Sequence, residues 1–335
     1  MITAVIGGQY GSEGKGKVIE HLAQDYDVFV RVGGPNAGHV IYCYGARFIM
    51  RSVPCGWINP NAKLVIGAGA VVSIPVLMDE LELLRNYDPS IDKRLYIDQN
   101  ATVITPAHME LEKEIMGTLG STGQGVGEAR KARINRNIKL AKDYPELNQY
   151  LADTVELLHL WQNQNILLEG TQGTHLSLTH GDYPYTTSHD TTVNQLCADV
   201  GIPATKLDHI IIALRTFPIR VGGNSGPLSR ETSFAELRDR TGGAIEKTSV
   251  TKKERRIGYL DWKKLHKTKI LNAPTHLAVM FVDYYNPDAT NLEYYNELPS
   301  DVKRLVKSLE DFFEAPALFV STGVNAMIKR GELWD

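Results

Sequence analysis

Cysteine is scarce in this chain. Cys43, Cys55 and Cys197 are odd in number and far apart, so they form neither a metal-ligand spacing nor a disulfide framework. That argues against a disulfide-stapled secreted protein and makes a reducing cytoplasm the expected setting. Long apolar runs are also missing. The most apolar stretch, LVIGAGAVVSIPVLM from Leu64 to Met78, is too short and too broken by Gly and Pro to span a bilayer. No basic region leads into an apolar stretch at the N-terminus, so no signal peptide is expected. Charge of one sign is not in excess either. The balance of 36 Lys and Arg against 39 Asp and Glu leaves −3, which gives no electrostatic reason to expect nucleic acid or an anionic membrane as partner.

The chain has 335 residues, 43% apolar and 22% charged, in the ordinary globular range. No repeat, low-complexity tract or long linker divides it, so a single domain over residues 1–335 is expected. Short β-branched runs alternate with helical patterns. The strand candidates are Ile2–Ile6, Val28–Val32, Leu64–Ile66, Leu95–Ile97, Ile166–Leu168, His209–Leu214, Leu277–Val282 and Ala317–Val320. Helical patterns cover Lys15–Gln24, Val76–Asn86, Leu147–Asn163, Phe234–Arg240 and Asp301–Phe313. Apolar strands alternating with helices predict an α/β fold, a mainly parallel central sheet with helices on both faces and long functional loops. Ligand sites in such folds gather where loops leave the carboxyl ends of strands.

The first loop, GQYGSEGKGK from Gly8 to Lys17, resembles the phosphate-binding pattern G-x-x-x-x-G-K-[ST] but departs from it twice. Gln9 replaces the first glycine, and Gly16 follows Lys15 where a Ser or Thr would stand. The physical task survives. Glycines let backbone N–H groups converge on an anion, the helix start favours negative charge, and Lys15 adds a cation. The hydroxyl that normally helps to hold Mg²⁺ is missing, and Ser12 or the Gly38 carbonyl are the replacements at hand. A tight turn capping a helix with two solvated lysines is the plain alternative.

Further fragments follow in order: NAGH (Asn36–His39), GSTGQG (Gly120–Gly125), EGTQGT (Glu169–Thr174), HGDYPYTTS (His180–Ser188), RRIGYLD (Arg255–Asp261) and STG (Ser321–Gly323). With the first loop they make the chain resemble the adenylosuccinate synthetase family along nearly its whole length. The resemblance implies a ligase that works in two steps. A nucleoside triphosphate phosphorylates O6 of a 6-oxopurine nucleotide, and the amino group of L-aspartate then displaces phosphate from C6. It implies a P-loop-related fold, Mg²⁺ as cofactor and a homodimer.

By position, the resemblance places Gly11, Glu13, Gly14, Lys15, Gly16, Lys17, Gly38, His39, Asp283, Ser321 and Gly323 around the triphosphate. Ser12, Asn36, Ala37, Ser121, Thr122, Arg133, Gln172, Thr187 and Gly222 would surround the purine nucleotide, with Arg133 donated across the dimer interface. Thr251, Lys253 and Arg255 fall in the aspartate loop, and Ser12 and Gly38 are the implied metal ligands. Ser12, His39, Gln172 and Lys15 would carry the chemistry, His39 as acid or electrostatic stabiliser. Each has an ordinary reading too: a turn histidine, loop residues that satisfy backbone groups, a solvated basic run, and a Glu13 that complements the helix dipole. Their ordered co-occurrence is what favours function.

One position departs. Family members carry aspartate where this chain has Ser12, and that carboxylate takes the N1 proton of inosine monophosphate. Such a base is worth about 10²–10⁴-fold in rate. Either the enzyme is inactive or the purine differs. Guanine carries a 2-amino group beside N1, where a serine is smaller than aspartate and its oxygen can accept a hydrogen bond. A phage-associated PurZ-type branch, the 2-aminoadenylosuccinate synthases acting on dGMP, has this serine. Glu13 and Lys17 keep the look of the parent family. Lys253 stands where the parent has arginine, and Phe281 replaces a lysine that covers guanine in GTP-using members. The expected substrates are therefore dGMP, L-aspartate and ATP or dATP. A conventional synthetase acting on IMP and a non-catalytic nucleotide-binding relative are the rivals.

Overall fold

Buried apolar runs become the strands of a ten-stranded sheet in the computed structural model, which describes residues 1–119, 122–241 and 254–333. In chain order the strands are β1 (Ile2–Gly7), β2 (Val28–Arg31), β3 (Lys63–Ile66), β4 (Leu95–Asp98), β5 (Leu151–Ala152), β6 (Ile166–Glu169), β7 (His209–Arg215), β8 (His276–Met280), β9 (Ala317–Ser321) and β10 (Met327–Lys329). Across the sheet they run β10-β9-β8-β7-β1-β6-β2-β3-β4-β5. All pairings are parallel except β9 with β10.

Both faces of the sheet are buried, which is why the strands are apolar at every position rather than at alternate ones. In β1, Val5 packs into one core while Ala4 and Ile6 pack into the other. In β6, Leu167 joins the first and Ile166 and Leu168 the second. Helix α1 (Lys15–Leu22) covers the first face with Val18, Ile19 and Leu22. The helix Ser300–Phe313 covers the second with Val302, Val306, Leu309 and Phe313, one to each turn or so of its inner stripe. No helix among the described residues is long and apolar enough to cross a membrane.

The parallel arrangement has one consequence for function. The segments that follow β1, β2, β6, β7, β8 and β9 all leave the same edge of the sheet. Four of the sequence fragments singled out above thereby become neighbours.

Several expectations need correction. Leu147–Asn163 is not one helix but a 3₁₀ turn (Pro145–Tyr150), strand β5 and a short helix (Thr154–Leu160). The break is made by Asp98 at the end of β4. Its carboxylate takes the Thr154 N–H at 3.1 Å and the Thr154 hydroxyl at 2.6 Å, and Ala152 pairs beside it. Asp153 then caps the new helix through the Glu156 N–H. Strand β8 stops at Met280 rather than Val282, because Phe281 takes a left-handed φ of 62° and a short helix, Val282–Tyr285, begins. The pattern also passed over a hairpin (His39–Cys43 with Ala46–Met50), a small sheet of Ile219–Val221, Arg255–Gly258 and Glu231–Thr232, and the helices Pro106–Leu119, Val126–Ile134, Val193–Val200 and Trp262–Asn272.

Asp98 is buried and holds three donors, counting the Asn100 N–H at 2.8 Å. Asp98→Ala orphans them and is expected to lower stability by about 1–3 kcal/mol in chemical denaturation.

Candidate active site

The site starts from two charged residues that end otherwise apolar strands. Arg31 closes β2 and Glu169 closes β6, and the parallel register sets them directly side by side. They form a buried ion pair. The Glu169 carboxylate also receives His39 Nδ1 at 2.6 Å and the Cys55 N–H at 2.8 Å. Arg31 reaches on to the Ala37 carbonyl at 2.6 Å. The NAGH loop is thus fastened to the sheet by the pair. Burial alone would push the Glu169 carboxyl up, but Arg31 and His39 outweigh it and bring it to about 2. His39 is driven down to about 4, by burial first and then by Arg31, so at neutral pH its contact with Glu169 is a hydrogen bond from a neutral ring. Glu169's ordinary value of 4.5 lies above its folded one. Its contribution to stability is therefore complete above that pH and is lost as the pH falls towards 2.

The glycine loop after β1 is built around Glu13. Its carboxylate accepts the Gln9 N–H at 3.1 Å and the Gly11 N–H at 2.7 Å, and pairs with Lys15 at 2.8 Å. The expectation that Glu13 complements the helix dipole from the first turn is corrected. Helix α1 begins at Lys15 after a left-handed Gly14, and Glu13 is turned into the loop and fully buried. The side chain staples the turn and has no face left for an anion. Gly14 has no side chain to cap α1, and the Lys17 and Val18 N–H groups both turn to its carbonyl, at 3.0 and 3.3 Å. Gly16 occupies the place of the usual Ser or Thr for a steric reason: a Cβ there would run into the Val40 carbonyl of the hairpin.

The EGTQGT segment interlocks with this loop. Lys15 Nζ donates to the Gln172 carbonyl as well as to Glu13. A Cβ on Gly173 would lie 2.6 Å from the Gly11 nitrogen, so only glycine permits the approach. Gln172 has a left-handed φ of 61°, and its Nε2 donates to Thr187 Oγ1 at 2.9 Å. Its Oε1 is buried with no hydrogen-bond partner among the described residues. Ser12 is exposed at the tip of the first loop with φ 60°, its carbonyl receiving Arg215 Nη1 at 3.1 Å. Gln9 and Arg215 exchange two further bonds, Arg215 N–H to Gln9 Oε1 at 2.9 Å and Gln9 Nε2 to the Arg215 carbonyl at 3.0 Å.

The remaining predicted residues fall into separate groups. Lys17 joins Ser321 and Gly323: its Nζ donates to Ser321 Oγ at 3.0 Å and to the Gly323 and Ala326 carbonyls, each at 2.6 Å. Burial brings its pKa down to about 8, and the Asp283 carboxylate is near enough to oppose that. Arg51 links the Pro35 carbonyl, beside Asn36, to Gln124, two residues beyond Thr122. Gly222 and Arg255 meet in the small sheet, where Val221 pairs with Arg255 and the Gly222 N–H bonds the Glu254 carbonyl. Arg133 binds within its own chain, to the Asn100 carbonyl and the Thr102 hydroxyl. Ser121, Thr251 and Lys253 lie outside the described residues.

Sequence reasoning missed Arg31, Glu169 as more than a motif residue, Cys55 and Arg215. A readable signal existed for three of them: VFVR, ILLE and HIIIALR each end an apolar strand on a charge. A charge at the carboxyl end of a buried parallel strand points at a site. Cutting the central pair should be costly. Arg31→Met leaves Glu169 buried beside only neutral donors, and a loss of about 3–5 kcal/mol is expected in urea denaturation at neutral pH.

Comparison with known proteins agrees with this architecture. The family model for adenylosuccinate synthetase matches residues 4–143 and 138–288. Adenylosuccinate synthetases from Methanocaldococcus jannaschii and Methanococcus vannielii are 38% and 39% identical, each over 96% of this chain and over 94% and 96% of their own lengths. Among solved structures, fully ligated adenylosuccinate synthetase from Plasmodium falciparum shares the fold, with a TM-score of 0.87 at 23% identity over 98% of this chain and 99% of that one. The succinoaminodeoxyadenylate synthetase (PurZ) of cyanophage S-2L, solved with dGMP and with dATP as energy donor, superposes with a TM-score of 0.82 at 28% identity over 99% and 96% of the two chains. The seven fragments, the parallel sheet that gathers four of them and these matches lead to one assignment: the chain belongs to the adenylosuccinate synthetase family.

Proposed function

We propose that this member joins L-aspartate to C6 of dGMP, driven by ATP or dATP, giving N6-succino-2-amino-2′-deoxyadenylate. The observation that carries the reading is Ser12. Its backbone is left-handed, a conformation that aspartate and asparagine tolerate better than serine. Backbone preference thus gives no reason to trade an aspartate for a serine here, and the explanation has to come from the side chain. A short hydroxyl leaves room for a 2-amino group and can accept its hydrogen. Leaving that amino group buried without a partner would cost about 1–3 kcal/mol. The buried Oε1 of Gln172 is a second acceptor, suited to the N1–H of the same purine edge. The S-2L structure, with dGMP bound, supports the choice.

In this reading O6 attacks the γ-phosphorus as the N1 proton passes to a water or to the phosphate itself, and the nucleoside diphosphate departs. The aspartate nitrogen then attacks C6 and inorganic phosphate departs. The protein supplies position and charge. The glycine loop and Lys15 hold phosphates, with Gly11, Gly14, Gly16, Lys17, Gly38, Asp283, Ser321 and Gly323 around the triphosphate. Asn36, Ala37, Ser121, Thr122, Thr187 and Gly222 frame the nucleotide, and Thr251, Lys253 and Arg255 take the aspartate. The donor sets fit Mg²⁺. Both buried carboxylates nearby, Glu13 and Glu169, are committed to the protein's own donors. That leaves the neutral oxygens of Gly38 and Ser12, as suits an ion that takes most of its ligands from phosphates and water. Such an ion neutralises charge on the transferring phosphoryl group. The reading further assigns one domain over residues 1–335, a homodimer to which Arg133 contributes, and a cytoplasmic location, the host's if the chain is phage-encoded.

A second reading, a conventional synthetase acting on IMP, is favoured by the 38–39% identity to the archaeal adenylosuccinate synthetases. Purified protein with Mg²⁺, aspartate and ATP, offered dGMP or IMP separately, decides between them. Aspartate-dependent phosphate release with dGMP is expected, and release with IMP alone refutes the proposal. Ser12→Asp should lower kcat/KM for dGMP roughly 10-fold or more while IMP binding changes less. Equal use of dGMP by the variant would show that Ser12 does not select the base.

A further inference from the structure

The tip of the first loop is held from below by one side chain. Arg215 ends β7, the strand beside β1, and its backbone is locked to the loop by the two bonds it exchanges with Gln9. Its guanidinium is buried and fixed at several points. Nη1 donates to the Ser12 carbonyl and Nε to the Phe217 carbonyl, each at 3.1 Å. Cζ lies 3.8 Å from the centre of the Phe281 ring and 5.6 Å from that of Tyr284. The Phe281 contact depends on an unusual backbone, since a left-handed φ of 62° is rare for a bulky residue. Thr216 secures that turn: its N–H donates to the Met280 carbonyl at 3.1 Å and its hydroxyl to the Phe281 carbonyl at 2.6 Å. A Cβ on Gly14 would lie 3.6 Å from Phe281 Cε2, so the Phe281 turn packs against the loop as well.

Held in this way, Ser12 has little freedom left. Its φ is left-handed and its carbonyl is pinned, so the direction of Cβ is set and the hydroxyl keeps only the staggered positions of χ1. We propose that Arg215 is a positioning residue that sets the placement of the Ser12 hydroxyl, and with it the discrimination between purines, while Phe281 holds Arg215 in line. Arginine suits this task. Its planar fork serves two carbonyls at once and lays a face on an aromatic ring, which the compact ammonium of lysine cannot do together. The inference rests on the reading that Ser12 chooses the purine, but not on which purine it chooses.

The test compares dGMP with IMP, by kcat/KM and by calorimetric Kd, in the full-length protein and its variants. Arg215→Lys keeps the buried charge but loses the fork. It is expected to bring the preference, for whichever purine the protein favours, about 10-fold closer to parity. The same change placed on Ser12→Ala should add little, because the two residues act as a unit. A loss shared equally by both purines is general damage to the loop and overturns the proposal. So does a double variant whose ratio shifts by the two single effects combined. If Ser12→Ala itself leaves the ratio unchanged, the Ser12 reading fails and the role of Arg215 with it, whereas an unchanged ratio in Arg215→Lys alone sinks only the latter. The dGMP assignment is judged separately, by the purine that the wild type prefers. Should Arg215→Lys not fold, Phe281→Leu removes the ring and leaves both carbonyl bonds. It is expected to move the ratio the same way by about threefold, and an unchanged ratio there refutes the proposal.

Discussion

The ion pair between Arg31 and Glu169 is the constraint from which the site is assembled. It exists because β2 and β6 are parallel neighbours in a register that brings their last residues level. A buried pair of this kind adds little to stability by itself, because both charges are desolvated. What it contributes is placement. The carboxylate fastens His39 and the start of the Cys55 turn, and the guanidinium fastens Ala37. The loop from Ala37 to His39 and the Cys55 turn are thereby tied to one point at the carboxyl edge of the sheet, His39 and Cys55 to a carboxylate 130 and 114 residues further along the chain.

The second constraint is how closely the loops interlock. Glu13, Lys15 and the Gln172 carbonyl form a chain of contacts that joins the glycine loop to the segment after β6. Glycine at 16 and 173 is demanded by neighbouring backbone, which explains why the phosphate-loop pattern is broken after Lys15. The hydroxyl usually found there has no room beside Val40. Ser12 and Gln172, both left-handed, stand at this junction, and the buried Oε1 of Gln172 has no hydrogen-bond partner among the described residues.

Much of this was legible from the residues. The α/β class, the parallel sheet and most strand positions follow from fully apolar runs, since a strand covered on both faces has no polar side to display. The loops were legible as a set because their fragments recur in order. The helix expected over Leu147–Asn163 was not, because helical periodicity cannot register that Asp98, 56 residues before Thr154, competes for its N–H. The ordinary reading of Glu13 as a helix-dipole charge fails for a similar reason. Its spacing before α1 suits a helix-dipole charge, yet the carboxylate finds nearer donors inside its own loop.

The sequence by itself determined the family, the strand-and-loop plan and the one position, Ser12, at which the first loop departs from the family pattern, because these depend on local pattern and residue identity. Only the tertiary structure decided which charges meet. Arg31 and Glu169 are 138 residues apart in the chain, and nothing local to either shows that strand order and register will set them side by side. The placement of His39 follows from that meeting, since its ring is fastened to the Glu169 carboxylate.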